Sequence, residues 1–248
     1  MLRKGRLTAR FAETEADVRK AQALRHLCFV EAQGGVARSD GLDADGFDDV
    51  CEHVLVTDSR RGDVLCTFRL LPLTDGGEIE RTYSAQFYEL DALRSFSGPM
   101  VEMGRFCVHP DAKDADVLRV AWGAMTAYVD EHGVEMLFGC SSFSGTAGEA
   151  YLDAFDMLAD QHLAPKRWLP RVKAPKVFRF AERLRKPFDR KAAMLRMPPL
   201  LKTYLVMGGW VSDHAVVDPE LNTLHVFIGL EIAAIPPARA RALRAVAR

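Results

Sequence analysis

Apolar and polar positions follow two different periods in the first part of the chain. The segment from Leu7 to Phe11 alternates as a short strand does. Thr14 comes next, with Asp17 three residues later, in the arrangement of a capping-box-like helix start. Apolar residues then recur at helical spacing, at Val18, Ala21, Leu24 and Cys28. The pattern predicts a strand followed by an amphipathic helix.

The same two periods continue toward the C-terminus and predict a mixed α/β domain without internal repeats. Two β-rich runs, 54–56 and 64–71, flank a Gly-containing turn and predict a hairpin. The further predicted strands are Met100–Val108, Met136–Cys140, Leu201–Met207, Trp210–Val211 and Leu224–Ile228. The further predicted helices are Val117–Glu131, which ends at His132–Gly133, and Ala147–Ala159.

Composition narrows the class of protein. The chain has 248 residues, of which 48% are apolar, and this excludes a disordered chain. The longest apolar run, Leu224 to Ile235, is interrupted by His225 and Glu231 and is too short for a membrane-spanning helix. The basic N-terminus is not followed by the apolar stretch of a secretory signal, so a cytoplasmic protein is expected. The five cysteines are far apart and lack metal-ligand spacing, which favours reduced, buried thiols.

The formal charge of −1 hides an uneven distribution. Residues 166–196 contain twelve basic residues and two acidic ones, a charge of +10, so the rest of the chain carries −11. That negative remainder speaks against a dedicated nucleic-acid-binding protein. The stretch from Asp40 to Glu52 holds six acidic residues and no basic one. It is either a solvated loop or a recognition loop for a cationic or amino-bearing substrate.

Three charged residues interrupt otherwise apolar strands. Arg69 lies in the run 66–71, and Glu102 and Arg105 lie in the run 100–108. Burying a charge is costly unless it is paired or used, so these residues form an internal ion pair or take part in chemistry. Residues 102 and 105 would face opposite sides of a regular strand unless Gly104 sits in a bulge. Such a bulge would splay the strand and open a slot for a linear ligand.

Several segments together resemble a known family. They are Leu24–Arg25 with Cys28–Glu31, Asp45–Asp48 with Cys51–His53, Thr67–Leu71, Glu102–Pro110, and Pro199–Leu205 with Asp218–Pro219. In these segments the sequence is similar to the ornithine-lipid-forming Nα-acyltransferases, a hemolysin-like branch of the GCN5-related N-acetyltransferase (GNAT) superfamily related to acyl-homoserine-lactone synthases. The resemblance implies one α+β, GNAT-like domain over residues 1–248, with a mixed, twisted central sheet flanked by helices. Within it we expect a core over 1–160, a basic helical insertion over 161–198, and C-terminal strands and tail over 199–248.

The implied reaction is transfer of a 3-hydroxyacyl chain from acyl carrier protein (ACP) to the α-amine of ornithine, without a cofactor. A base must take a proton from the amine, and we assign this role to Glu102, with Asp48 as the alternative. The residues expected to bind the amino acid are Arg69, Arg105, Asp45, Arg25 and Phe29, of which Arg69 and Arg105 would hold its carboxylate. The residues expected to line the acyl and pantetheine site are Phe106, Cys107, Val108, Cys140, Ser141 and Ser142.

The charge pattern bears on the acyl donor. Asp111, Asp114 and Asp116 stand where a GNAT protein cradles the pyrophosphate of coenzyme A, and acids there would repel it. A carrier-bound phosphopantetheine fits better, and acidic ACP would dock on the basic segment at Lys166, Arg167, Arg171 and Lys173. The same segment suits an anionic membrane surface, which adds a peripheral position at the inner membrane face.

Three other functions stay open at this stage. Glutamine could replace ornithine as the acceptor, giving a glutamine lipid. An acyl-homoserine-lactone synthase would use the same fold with a different acceptor. A membrane-surface binding protein would use the basic segment without catalysis.

Overall fold

The computed structural model describes residues 2–36 and 39–247 of the chain. The β-strands are β1 Leu2–Lys4, β2 Leu7–Phe11, β3 Glu52–Asp58, β4 Val64–Leu73, β5 Tyr88–Glu89, β6 Met100–Val108, β7 Met136–Ser144, β8 Arg171–Val172, β9 Val177–Phe178, β10 Trp210–Asp218 and β11 Thr223–Glu231. The α-helices are α1 Glu15–Arg25, α2 Asp116–His132, α3 Leu152–Gln161, α4 Arg190–Arg196, α5 Pro199–Val206 and α6 Pro237–Val246. A π-helical turn, His26–Glu31, follows α1, and short 3₁₀ helices occupy several loops.

The fold class predicted from the sequence is confirmed: a large, mixed and twisted sheet is flanked by helices. The described residues group into two compact units. The first comprises those within Met1–Pro72, Met103–Val134 and Pro237–Arg248, and the second those within Leu73–Glu102 and Glu135–Pro236. This grouping differs from the division at residues 160 and 198, which stays a prediction.

The first unit is built on the antiparallel strands β1 to β4. Each strand pairs with the next along the chain, with Phe11 opposite Val54 and Leu55 opposite Thr67, so the predicted hairpin is confirmed. Helix α2 packs on β1, β2 and α6. It ends at Gly133, whose φ of 59° is the left-handed conformation that glycine adopts most easily. The side chain of Leu2 packs closely against Gly123 of α2, where an added Cβ would lie 2.6 Å from Leu2 Cδ2.

The start of α1 follows the predicted signal, with one difference. The Thr14 hydroxyl accepts a hydrogen bond from the Asp17 N–H at 3.2 Å, as an N-cap does. The Asp17 carboxylate accepts from the N–H of Glu13 and binds the guanidinium of Arg10 at 2.7 Å through both oxygens. The acid therefore ties the helix start to β2 instead of closing a full capping box.

The second unit centres on the long antiparallel pair of β7 and β11. Their register runs without a break from Ser144 opposite Thr223 to Met136 opposite Glu231. Strand β10 pairs with the other edge of β11, with a register shift between Val211 and Ala215. Aromatic rings fill the core of this unit: Phe227 packs against Phe138, Tyr88 and Trp210.

One predicted strand is wrong. Residues 201–207 fall in the helix α5, whose first residue is Pro199. Proline is well tolerated in the first turn of a helix because its missing N–H would have no partner there. Leu201 and Tyr204 are buried three residues apart, which is a helical spacing. The apolar run is therefore one face of a short helix.

The basic segment is helical only near its end. It contains the two-residue strands β8 and β9, a 3₁₀ turn over Ala181–Arg183, and then α4. All twelve of its basic side chains are exposed. Within residues 2–36 and 39–247, no helix is both long enough and apolar enough to cross a membrane.

Candidate functional site

A buried network of arginines and aspartates dominates the first unit. Arg25, at the end of α1, has a side chain that is 1% exposed. Its Nε donates to Asp43 Oδ2 at 2.9 Å, and its Nη1 and Nη2 donate to the two oxygens of Asp48 at 2.7 and 3.0 Å. Nη2 also donates to the Asp43 carbonyl. One guanidinium thus holds two carboxylates and a backbone oxygen.

Arg69 and Arg105 bind the same acidic segment. Arg69, on β4, donates to Asp45 Oδ1 at 2.6 Å and Oδ2 at 2.9 Å, and to Asp48 Oδ1 at 2.8 Å. Arg105, on β6, donates to Asp43 Oδ2 at 3.1 Å and to Asp45 Oδ2 at 3.2 Å. The structure therefore brings together five predicted site residues: Arg25, Asp45, Asp48, Arg69 and Arg105.

Local sequence explains how the aspartates reach the arginines. Asp45 caps the 3₁₀ helix Gly46–Asp49, and its side chain accepts from the Phe47 N–H at 2.9 Å. Asp48 returns the bond by accepting from the Asp45 N–H at 3.3 Å, which completes a capping box. This turn aims Asp45 and Asp48 inward, where they and Asp43 face arginines. The other acids of the stretch, Asp40, Asp49 and Glu52, are exposed. Half of the acidic residues are therefore held in ion pairs and half face solvent.

The charges of the network hold the acids ionised. Burial alone would raise the pKa of Asp48, but the hydrogen bonds and charge of Arg25, with Gln22 and Arg69, keep it well below its usual value. The pKa of Asp45 is also lowered, because Arg69 and Arg105 outweigh burial and the nearby Asp48. A lowered pKa means that each carboxylate binds a proton less readily than a free aspartate does. Asp48 stays the predicted alternative to Glu102 as the base.

His53 lies beside the same network. Its Nε2 is 3.1 Å from the Asp48 carbonyl, and its ring is buried. Burial lowers the pKa of His53, and the cations Arg25 and Arg69 add to this effect against the opposing influence of Asp48. Burial disfavours the protonated imidazole because a charged ring loses its hydration there.

Strand β6 is irregular next to the expected position. The sequence allows a bulge at Gly104, and in the structure the neighbouring residue Arg105 has the left-handed backbone conformation, with φ 53°. A long side chain rarely adopts this conformation, which costs of order 1–3 kcal/mol unless the surroundings enforce it. The bonds from Arg105 to Asp43 and Asp45 provide that enforcement. The irregularity turns the arginine toward the acidic segment.

An apolar cluster and a cavity adjoin the C-terminal end of β6. Leu24, Cys28 and Cys107 are buried together, and Leu27, Phe29 and Val64 pack against them. The Cys28 thiol donates to the Val108 carbonyl at 3.4 Å, and Phe106 stacks on Phe68. The cavity has a volume of about 620 Å³ and shares Leu24, Leu27 and Val64 with this cluster. Lys20, Arg61 and His109 also line it, as do Asp63 and Asp111.

Glu102 forms a separate cluster in the second unit. Its carboxylate is buried and accepts from the N–H groups of Tyr83 at 2.8 Å and Ser84 at 2.7 Å. It also accepts from the Ser84 hydroxyl at 2.5 Å, and that hydroxyl lies 3.4 Å from Cys140 Sγ. The geometry links the predicted base to a predicted acyl-site residue through a serine.

The other predicted acyl-site residues follow Cys140 along β7. Ser141 is buried and Ser142 is exposed, as the alternation of a strand requires. Ser142 lies opposite His225 of β11 in the strand register. The Tyr88 hydroxyl is 3.2 Å from His225 Nδ1 and donates to the His225 carbonyl at 2.7 Å.

Sequence reasoning missed two residues that these clusters depend on. Asp43 was counted in the acidic stretch but not chosen, although it bridges Arg25 and Arg105. Ser84 lies in a loop without any motif, and only its backbone position beside Glu102 makes it important. A sequence signal existed for Asp43, because it lies two residues before Asp45 in the same acidic stretch.

The predicted carrier-docking residues are exposed, and three of the four have carboxylate partners. Arg167 binds Glu231 at 3.2 Å, Arg171 binds Glu89 at 2.5 Å, and Lys173 lies 3.9 Å from Glu80. Lys173 also donates to the Ala85 carbonyl at 2.6 Å. Lys166 is exposed as well. Exposed pairs of this kind exchange easily with other anions because they contribute about 0–1 kcal/mol.

Comparison with known proteins shows which family the chain belongs to. Residues 24–123 match the model of the acetyltransferase (GNAT) domain. The L-ornithine N(alpha)-acyltransferase of Rhodobacter capsulatus is 34% identical over 235 residues, which cover 91% of this chain and 90% of the relative. The protein of the same name from Brucella abortus is 31% identical, over 92% of this chain and 85% of its own. The chain belongs to the L-ornithine Nα-acyltransferase family. It is therefore an acyltransferase, as the resemblance implied.

Solved structures support the fold of this L-ornithine Nα-acyltransferase family member. The N-acyl amino acid synthase FeeM, from uncultured soil microbes, superimposes with a TM-score of 0.52 at 11% identity, over 98% of this chain and 97% of its own. The CoA-dependent acyl-homoserine lactone synthase BjaI superimposes with a TM-score of 0.51 at 17% identity, over 93% of this chain and 82% of its own. These likenesses confirm the GNAT-like fold and the structural relation to acyl-homoserine-lactone synthases.

Proposed function

We propose that this acyltransferase moves a 3-hydroxyacyl chain from an ACP thioester to the α-amine of L-ornithine, giving lyso-ornithine lipid. The observation that carries the proposal is the end-to-end similarity to relatives named L-ornithine N(alpha)-acyltransferase. In the reaction a nitrogen–carbon bond forms at the thioester carbonyl and the carbon–sulfur bond breaks. The carrier leaves as a thiol, and the amine proton passes to a base. No acyl-enzyme is needed.

The first unit supplies groups for the amino acid. Arg69 and Arg105 both donate hydrogen bonds to the Asp45 carboxylate. Arg69 binds both of its oxygens and Arg105 binds Oδ2. Asp45 is the most exposed acid of the network, at 25% for its side chain against 11% for Asp43 and 6% for Asp48. A substrate carboxylate has the same shape and charge as the Asp45 side chain. It would bind the two arginines by taking the place of Asp45.

The cavity in the first unit is a suitable place for part of the acyl donor. Its volume of about 620 Å³ lies within the range of small-molecule sites. Its apolar lining, from Leu24, Leu27 and Val64, extends into the cluster with Phe29 and Cys107. An alkyl chain or a pantetheine arm would contact this apolar side of the cavity. The predicted acyl-site residue Cys107 belongs to the cluster, with Phe106 and Val108 beside it on β6. Phe29, predicted to bind the amino acid, packs against the same cluster.

The second unit supplies the base. Glu102 is buried, fixed by the Tyr83 and Ser84 N–H groups, and connected to the Ser84 hydroxyl. These three donors hold the carboxylate in one orientation, and the proposal takes Glu102 as the general base in that orientation. Cys140, Ser141 and Ser142 are consecutive residues of β7 in this unit, and their role at the acyl chain stays a prediction.

The reaction itself is tested with purified protein and chemically defined substrates. The chain is incubated with 3-hydroxyacyl-ACP and equal concentrations of ornithine and glutamine, and products are identified by mass spectrometry while free carrier thiol is titrated. We expect Nα-(3-hydroxyacyl)ornithine and one thiol per product. A glutamine product would move the acceptor to glutamine, a homoserine lactone product from S-adenosylmethionine would identify a lactone synthase, and no thiol release with any acceptor would overturn the proposal.

The base is tested by Glu102→Gln. Loss of a general base typically lowers kcat by 10²–10⁴-fold, and we expect a loss of about this size with little change in the KM for ornithine. The amide of glutamine meets backbone N–H donors, so the melting temperature is measured alongside. Glu78→Gln is the matched control, because Glu78 also accepts a backbone N–H, from Thr74 at 2.6 Å, but is exposed. Wild-type turnover in a folded Glu102→Gln variant would remove Glu102 from the mechanism.

Carrier docking is tested by charge reversal at Arg167, Arg171 and Lys173. Each change breaks an exposed ion pair, so stability should change little. We expect the KM for acyl-ACP to rise while the KM for ornithine stays the same, and the effect should shrink at high salt. Unchanged KM values for both substrates would exclude these residues from carrier docking.

A further inference from the structure

One surface of the second unit combines exposed apolar and basic side chains. Helix α4 buries Ala193, with Met197 buried just beyond its end, and it packs on α3. Met194 is 41% exposed and Leu195 is 81% exposed. Arg190 and Lys191 lie four residues before Met194 and Leu195 and are also exposed, so each cation shares a helix face with an apolar residue. We call Arg190, Lys191, Met194 and Leu195 the α4 face.

The cations around α4 differ in how they are neutralised. Arg185 binds Asp156 at 2.7 Å, and Lys186 binds Asp160. The two cations that precede α4 are therefore paired with acids of α3. In the part of the chain that the structure describes, no carboxylate lies within 4 Å of the basic groups of Arg190, Lys191 or Arg196. Arg190 instead donates to the neutral Gln161 side chain at 3.0 Å.

This distribution separates the α4 face from the predicted carrier-docking residues. Arg167, Arg171 and Lys173 each have a carboxylate within 4 Å, whereas Arg190, Lys191 and Arg196 have none among the described residues. Asp160 and the N-cap residue Asp189 are acids near α4. Leu195, the most exposed large apolar side chain described, lies on the same short helix as these three cations. Basic side chains next to a protruding leucine are complementary to a surface that has anionic groups outside and apolar groups beneath them.

We propose that the α4 face docks on an anionic lipid bilayer. Leu195 and Met194 enter the apolar boundary of the bilayer, and Arg190 and Lys191 meet the lipid phosphates. An acidic protein would match the charge as well, but it would need a preformed pocket for Leu195, whereas a fluid bilayer adapts to any protruding side chain. The proposal goes beyond the acyl-transfer reaction and does not depend on the identity of its substrates.

The test is flotation of the whole chain with lipid vesicles. One set of vesicles contains phosphatidylcholine alone, and the other contains phosphatidylcholine mixed with phosphatidylglycerol. We expect binding to the anionic vesicles at low salt and its loss at high salt, because screening removes the attraction of exposed charges. Leu195→Asp should weaken the binding about tenfold or more, since burial of a leucine side chain is lost. Arg190→Glu with Lys191→Glu should have an effect of similar size.

Two matched controls separate the α4 face from general surface effects. Leu118→Asp changes another exposed leucine on a helix, which is 39% exposed in α2. Arg241→Glu reverses an exposed charge on the basic helix α6. Both should leave vesicle binding unchanged. Circular dichroism and melting temperature verify that every variant is folded.

Three results would overturn the proposal. The first is equal binding, or equal lack of binding, to neutral and anionic vesicles. The second is wild-type vesicle binding by folded Leu195→Asp. The third is a rise in the KM for acyl-ACP in Leu195→Asp without any change in vesicle binding, which would identify an acidic protein as the occupant. Vesicle binding needs no acyl donor, so its outcome is independent of the proposed reaction.

Discussion

Arg25→Ala is the perturbation that most directly tests the account of the buried network. The change removes the guanidinium that holds Asp43 and Asp48 at 2.9 and 2.7 Å in a site where the arginine side chain is 1% exposed. Removing one partner of a buried ion pair typically costs about 3–5 kcal/mol. Arg105 still binds Asp43 and Arg69 still binds Asp48, so we place the loss near the lower end, about 3 kcal/mol.

The pH dependence of that loss follows from the position of the Asp48 pKa. In the wild type this pKa is lowered, so the stabilisation is present above the unfolded value of about 4 and declines as the pH falls toward the folded value. Without Arg25 the pKa of Asp48 rises, and the folded variant takes up a proton more readily. The difference in unfolding free energy between wild type and variant should therefore be largest near pH 7 and become smaller toward pH 3.

Urea unfolding followed by circular dichroism at several pH values measures this difference. At pH 7 a loss of about 3 kcal/mol corresponds to a midpoint lower by roughly 1 M or more. Arg244→Ala is the matched control, because Arg244 binds Asp130 with two bonds of 2.8 and 2.7 Å at the surface. Its loss should be about 0–1 kcal/mol. An Arg25→Ala loss no larger than that of the control, or one that is the same at pH 7 and pH 3.5, would refute the reasoning.

Two further predictions concern the proposed reaction. Ser84→Ala removes the hydroxyl that donates to Glu102 at 2.5 Å, so the carboxylate is held less firmly and kcat should fall several-fold while the KM for ornithine stays the same. An unchanged kcat in the folded variant would leave Ser84 as a structural residue. Arg105→Lys keeps the charge but loses the guanidinium fork, so the KM for ornithine should rise several-fold while the KM for acyl-ACP stays the same. A lower melting temperature with both KM values unchanged would assign Arg105 to the fold alone.

Much of the fold was predictable because the signals for it are local. The bounds of β6 agree with the predicted strand, and the end of α2 lies where His132–Gly133 predicted it. These elements are set by periodicity and by a glycine that accepts positive φ. The segment 201–207 was misassigned because a short apolar run fits both a strand and a helix. Its helical state follows from the start at Pro199 and the burial of Leu201 and Tyr204.

The sequence predicted which residues belong to the candidate site, but it did not predict which arginine binds which aspartate. Sequence alone selected Arg69 and Arg105 as costly charges in apolar strands, and it selected Asp45 and Asp48 through the family resemblance. The partner of each arginine depends on a capping box that folds the acidic stretch inward, and this contact spans more than twenty residues of sequence. The positive φ at Arg105 is likewise enforced by contacts with residues about sixty positions away. Such long-range pairings are a property of the folded chain.

The sequence by itself determined the family, the order of most strands and helices, and the position of an acidic and a basic segment. The tertiary structure decided which charges remain available. Asp43, Asp45 and Asp48 are paired with arginines, and Asp156 and Asp160 of α3 pair with Arg185 and Lys186. Among the described residues, the cations of α4 have no carboxylate within 4 Å and lie on the same helix as the exposed Leu195. The physical reason is that a charge acts through the groups within a few ångströms of it, and only the fold brings those groups together.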